Sequence, residues 1–183
     1  MIKKLALIIG FIICLSSCGK DYVYRIEGEL SNLEDQTVYA VFEKDNYKVV
    51  DTVVCTKPGQ FQIDQNEAGF HCVTIFFADK EHWVTAYLEP GETVKITGDA
   101  NSPLLLQVKG GRTNDKLTAF KKKIAPLLTE LTNLSNSLNS KDLNDTIEET
   151  DIAARLANVN MQLSEEAIRY VKENPDEEVS VVL

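Results

Sequence analysis

Between residues 24 and 108, apolar and polar residues alternate in short runs, each closed by glycine, proline, asparagine or aspartate. A period of two belongs to a strand with one covered and one wet face, so the pattern excludes a helical body for this half of the chain. Tyr24, Ile26, Gly28 and Leu30 point one way, with Arg25, Glu27 and Glu29 opposite. Turn chemistry at residues 31–35 leads to a branched and aromatic run at 37–42, and Lys44-Asp45-Asn46 turns the chain into a third run at 49–55. Lys57-Pro58-Gly59 precedes Phe61 and Ile63, and further runs follow at 72–77, 84–88, 93–97 and 104–108. About eight short strands, with nothing between them long enough for crossover helices, predict a mainly β fold with α added: an antiparallel β-sandwich or barrel over residues 24–110.

Two stretches refine this picture. The run at 72–77 is apolar on both faces, which predicts a central strand with layers on either side. Trp83 and Tyr87 share a face one strand later. Exposed aromatics can mark a ligand groove, but a pair at even spacing on a sandwich is expected to be core.

Past Gly110-Gly111 the period lengthens. Leu117, Phe120, Ile124, Leu127, Leu131, Leu134 and Leu138 recur at intervals of three and four, which aligns them on one side of a helix that Asn114 is placed to cap. Pro126 should interrupt it. A second stripe runs through Ile152, Leu156, Val159, Leu163 and Tyr170 until Asn174-Pro175, giving an antiparallel helical hairpin over residues 111–175 and an apolar end at 176–183. The two helices are expected to pack on each other or on the sandwich, although heptad spacing also permits a coiled-coil partner.

The amino-terminal stretch sets the expected location. Met1-Ile2-Lys3-Lys4 is a basic head, followed by an apolar run too short to cross a bilayer, which needs about 20 residues in a helix. Leu15-Ser16-Ser17-Cys18 resembles the lipobox of bacterial lipoproteins, in which the cysteine sulfur is diacylated, the signal is cut off and the new amino terminus is acylated. The resemblance implies a signal at 1–17, lipidation at Cys18 and a short lipidated linker at 18–23. Each buried methylene contributes about 0.8 kcal/mol, so two or three acyl chains anchor durably. The expected place is the envelope of a Gram-negative bacterium, on the periplasmic side or, since Gly19-Lys20-Asp21 resembles a surface-export signal, on the outer surface.

Charge and cysteine count narrow the partners. The chain carries 19 basic and 28 acidic residues, and loss of Lys3 and Lys4 with the signal would leave 17 basic ones. Such a balance excludes nucleic acid as an expected partner, because phosphate binding needs clustered Lys and Arg. Lys121-Lys122-Lys123, at helical spacing, is expected to be a solvated face. With Cys14 lost and Cys18 acylated, Cys55 and Cys72 are the remaining thiols: either a disulfide, closing a loop worth about 3 kcal/mol, or two small buried strand residues.

A family likeness rests on Ile26-Glu27-Gly28-Glu29-Leu30, on Val50-Asp51-Thr52 leading to Pro58-Gly59-Gln60-Phe61, on residues 88–98 from Leu88-Glu89-Pro90-Gly91 to Gly98, on Val108-Lys109-Gly110-Gly111 with Asn114, and on Glu173-Asn174-Pro175. These residues resemble the N-terminal domain of unknown function of AhpC/TSA and TlpA/ResA-type thiol:disulfide interchange lipoproteins. In that family the redox chemistry implied by the resemblance belongs to a C-x-x-C in a thioredoxin-like C-terminal domain. This sequence has no C-x-x-C and ends at Leu183 before such a domain, so no catalytic residue carries over, whether the chain is a shortened relative or part of a longer one.

Other chemistry is thin. His71 and His82, even with Cys72, have no ligand quartet at zinc spacing, and no calcium loop or glycine-rich phosphate cradle is present. The expectation is a non-enzymatic module without metal or cofactor, bound to the membrane through its lipid and engaging an unknown protein or ligand. The alternative is the non-catalytic front of a tethered thiol:disulfide oxidoreductase.

Overall fold

The alternating runs become strands except the last, 104–108, where a 3-10 turn at Pro103–Leu105 leaves a strand at Gln107–Lys109 alone. The computed structural model describes residues 23–34, 37–77, 81–139 and 146–183, and holds β1 (Tyr24–Ser31), β2 (Thr37–Lys44), β3 (Tyr47–Val54), β4 (Gln60–Gln65), β5 (Cys72–Phe76), β6 (Trp83–Tyr87), β7 (Thr93–Asp99) and β8 (Gln107–Lys109). They form two four-stranded sheets, the first in the order β4-β1-β7-β8 and the second in the order β3-β2-β5-β6. The inward residues are those the period of two selects. Ile26, Leu30, Phe61, Ile63, Val94 and Ile96 face Val38, Ala40, Phe42, Val73, Ile75 and Val84 in one continuous buried cluster.

One pairing departs from the antiparallel expectation. β1 and β7 run parallel, from Arg25 opposite Thr93 to Ser31 opposite Asp99, while the other described pairings are antiparallel. Parallel neighbours need a long connection, which β2 to β6 supply: β2 and β3 lie in the second sheet, β4 returns to pair with β1, and β5 and β6 cross to the second sheet again before β7.

Gly28 faces inward, and a Cβ built there would lie 2.2 Å from the Phe61 ring, so the missing side chain makes room for the ring across the pair. Buried Tyr24 accepts a hydrogen bond at its hydroxyl from the Gly69 amide, 3.0 Å away.

The helices are α1 (Arg112–Lys123), α2 (Ala125–Asn139), α3 (Thr146–Glu173) and α4 (Val179–Val182). The break between α1 and α2 falls at Ile124, two residues before Pro126, where the missing amide costs least. Leu134, Ile152 and Val159 form the buried seam of the α2–α3 hairpin. Phe120, Ile124 and Leu128 form a second cluster with Leu105, Leu163, Ala167 and Tyr170, and Leu105, from a single 3-10 turn at Pro103–Leu105, ties the hairpin to the sandwich. No helix among the described residues is long and apolar enough to cross a membrane.

Candidate functional site

A sandwich normally shows two wet outer faces, and here they differ in chemistry. The outer face of the first sheet carries Arg25, Glu27, Glu29, Gln62, Asp64, Lys95 and Lys109, with Arg25 Nε 2.6 Å from Asp64 Oδ1, and is a solvated charged surface. The outer face of the second sheet is built otherwise. Register aligns Thr52, Tyr39, Phe76 and Trp83 in one row across β3, β2, β5 and β6, and Val50, Val41, Thr74 and Thr85 in the next. None of the eight is charged. A third row, Lys48, Glu43, Cys72 and Tyr87, holds one ion pair between Glu43 and Lys48 that lowers the glutamate pKa.

This face is open. Trp83 is 53% exposed and Val50 65%, while Tyr39, Val41, Thr74, Phe76 and Thr85 are half-buried by one another. The Phe76 and Trp83 rings lie 6.1 Å apart and tilted by 39°, and the Thr74 and Thr85 hydroxyls are 3.1 Å apart. Two expectations are corrected here. Trp83 is not core, because β6 turns Val84 and Ala86 inward and leaves the odd-numbered residues outside. Nor is β5 covered on both sides, since Val73 and Ile75 are buried but Cys72, Thr74 and Phe76 face outward.

The sandwich is closed on one side by α1. Asn114, 1% exposed, accepts at Oδ1 from the Tyr87 amide at 2.8 Å and donates from Nδ2 to the Tyr87 carbonyl at 2.7 Å and the Gly110 carbonyl at 2.6 Å. One helical turn on, Thr118 accepts from the Val108 amide at 3.1 Å and donates to its carbonyl at 2.6 Å. Each side chain thus pairs with an edge strand as another strand would, one in each sheet. The helix start is not capped by Asn114, as the sequence led one to expect, but by Glu89, whose Oε1 accepts from the Arg112 amide at 2.8 Å.

Two carboxylates fasten the far end of the hairpin to α1. Glu178 accepts from Thr113 Oγ1 at 2.6 Å and lies 3.3 Å from Arg112, and Glu177 accepts from Lys116 and from the Tyr170 hydroxyl, the latter at 2.6 Å. The hydrogen bonds from Lys116 and Tyr170 hold Glu177 below the usual glutamate range, and those from Thr113 and Arg112 do so for Glu178. Burial and the bond to Glu177 push Tyr170 up to about 12. Beside this clasp lies an open cleft of about 750 Å3 lined by His71, Leu88, Arg112, Glu178 and Val182. Glu178 is engaged there with Thr113 and Arg112, and His71 Nε2 with Asp45 at 2.8 Å.

A family model described as Domain of unknown function (DUF4369) matches residues 24–117, just over half of the chain. The chain belongs to this family. The DUF4369 match begins where β1 begins and ends within α1, so it takes in both sheets together with Asn114, whose bonds to Tyr87 make the first turns of α1 part of the sandwich. No curated protein and no solved structure matched the chain.

The other residues singled out from the sequence fall in three places. Cys18 lies outside the described residues. Within the DUF4369 sandwich, neither Cys55 nor Cys72 is disulfide-bonded. Cys55 follows Val54, which pairs with Thr37 at one end of β2, while Cys72 pairs with Glu43 at the other end. Six residues of strand separate those positions by about 20 Å, far beyond the roughly 7 Å a disulfide spans. The bridge considered from the sequence is therefore not formed. Burial, then the neighbouring Glu43, pushes the Cys72 thiol pKa up, away from a reactive thiolate. Lys121 of the basic triplet is partly desolvated, which lowers its pKa, so that triplet is not wholly a solvated face. Among the described residues no group of His, Cys, Asp and Glu is placed to hold a metal ion.

Proposed function

We propose that this chain is a lipid-anchored, non-enzymatic binding module of the bacterial envelope. The observation that carries the reading is the tetrad Leu15-Ser16-Ser17-Cys18, set behind a basic head and a short apolar run and five residues before the first described position at Val23. A tether that short keeps the sandwich at the bilayer surface. The two uncharged rows on the outer face of the second sheet support the binding role, because the outer face of the first sheet is heavily charged.

The test is membrane fractionation in a Gram-negative host. The intact chain is expected to stay with membranes through an alkaline wash, and Cys18→Ala to leave them. Retention of Cys18→Ala would overturn the reading.

A second reading rests on the likeness of residues 26–30, 88–98 and 108–111 to the front domain of TlpA/ResA-type lipoproteins: the chain then positions a redox domain for exported substrates. Its test is the reading frame beyond Leu183: an F-x-x-x-W-C-x-x-C-like segment there would establish this reading, and its absence would overturn it. Reduction of insulin disulfides by the chain itself with dithiothreitol would overturn the non-enzymatic reading.

A further inference from the structure

We infer that the outer face of the second sheet is a binding platform for an extended neutral polysaccharide, which rests on the proposal that the chain is a binding module. Trp83, Phe76 and Tyr39 place one ring on each of three adjacent strands, with the Phe76 and Trp83 ring centroids 6.1 Å apart. That spacing is comparable to the repeat of an extended pyranose chain, so successive sugars can lay their C–H faces along one row. The row beside it supplies Thr74 and Thr85, and Thr52 ends the aromatic row. Their hydroxyls both donate and accept, as the edges of sugar rings require.

Charge and area exclude the competing occupants. The two middle rows hold no charged residue, and the chain as a whole carries a net charge of -9, so a polyanion or an anionic lipid surface finds no cationic counterpart here. A second copy needs more area than the face offers: four strands by six or seven residues make roughly 400 Å2, against about 800 Å2 per partner in a stable dimer.

The chain contains one tryptophan, Trp83, so its emission reports on this face alone. Full-length protein in a zwitterionic, sugar-free detergent is titrated with neutral hexasaccharides of β-1,4-glucose, β-1,4-mannose, β-1,4-xylose and α-1,4-glucose, and run in native gels containing the corresponding polymers. A saturable blue shift with one of them, with retardation in the matching gel, is expected. Retardation should fall at least tenfold in Trp83→Ala and in Thr74→Lys, both checked for native circular dichroism, and persist in Arg112→Ala. Unchanged emission with all four, stronger retardation by a polyuronate, or a shift that follows protein concentration without saccharide would each overturn the platform. None of these outcomes bears on membrane retention through Cys18, so the anchoring proposal stands or falls separately.

Discussion

Asn114 and Thr118 show how two side chains can replace a strand. Removing the Asn114 amide leaves the Tyr87 amide and carbonyl without their described partner in a half-buried position, and Asn114→Ala is expected to cost about 2–3 kcal/mol in urea denaturation. Thr118→Val keeps the shape and loses the Val108 bonds, for about 1–2 kcal/mol. Gly28→Ala tests packing instead. Its new methyl would meet the Phe61 ring at 2.2 Å, and displacement of that ring is expected to cost about 1–3 kcal/mol. Trp83→Ala, on the exposed face, should stay within about 0.5 kcal/mol of the parent. If Trp83→Ala destabilised as much as a core truncation such as Phe42→Ala, for which about 3–5 kcal/mol is expected, the assignment of the outer face would be wrong.

At the scale of elements, the α3–α4 turn is held on α1 by carboxylates, and this gives the clasp a pH dependence. Glu177 and Glu178 have pKa values lowered by folding, so their contribution is present above the ordinary glutamate value of 4.5 and is lost as pH falls through the lower folded values. Amide exchange in α4 is expected to rise below about pH 4.5 while exchange in β1 and β2 stays slow, and Glu177→Gln with Glu178→Gln should flatten that dependence. Equal acceleration in strands and α4 would show that the clasp has no separate opening. Most strands were legible in the sequence because one buried face imposes a period of two, which β1, β2, β4, β5, β6 and β7 obey, whereas the edge strand β3 buries no residue fully and shows no such period. The break before Pro126 was legible for the same kind of reason, a missing amide. Asn114 was misread as a cap because its partner, Tyr87, is remote in sequence, and no local pattern announces a side chain bonding an edge strand. The outward turn of Trp83 was hidden too: alternation sorts Trp83 and Tyr87 onto one face but does not say which face is inside.

For the molecule as a whole, two unlike outer faces and one sealed side make an asymmetric object, which the proposed lipid anchor would orient. The parallel pairing of β1 and β7 could not be read from the strands' own residues, since it follows from a chain that leaves the first sheet for the second twice and takes one edge of β1 with β4 before β7 takes the other, a property of the path and not of any run. The tether concerns residues 18–22, before the described structure, and everything said about place follows from the sulfur at Cys18. Intact mass spectrometry of the chain recovered from a Gram-negative host's membranes tests this most directly. The expected species begins at Cys18 and carries the added mass of a diacylglyceryl group and an amide-linked acyl chain; a species with an unmodified Cys18 thiol, or one that still retains residues 1–17, would contradict it.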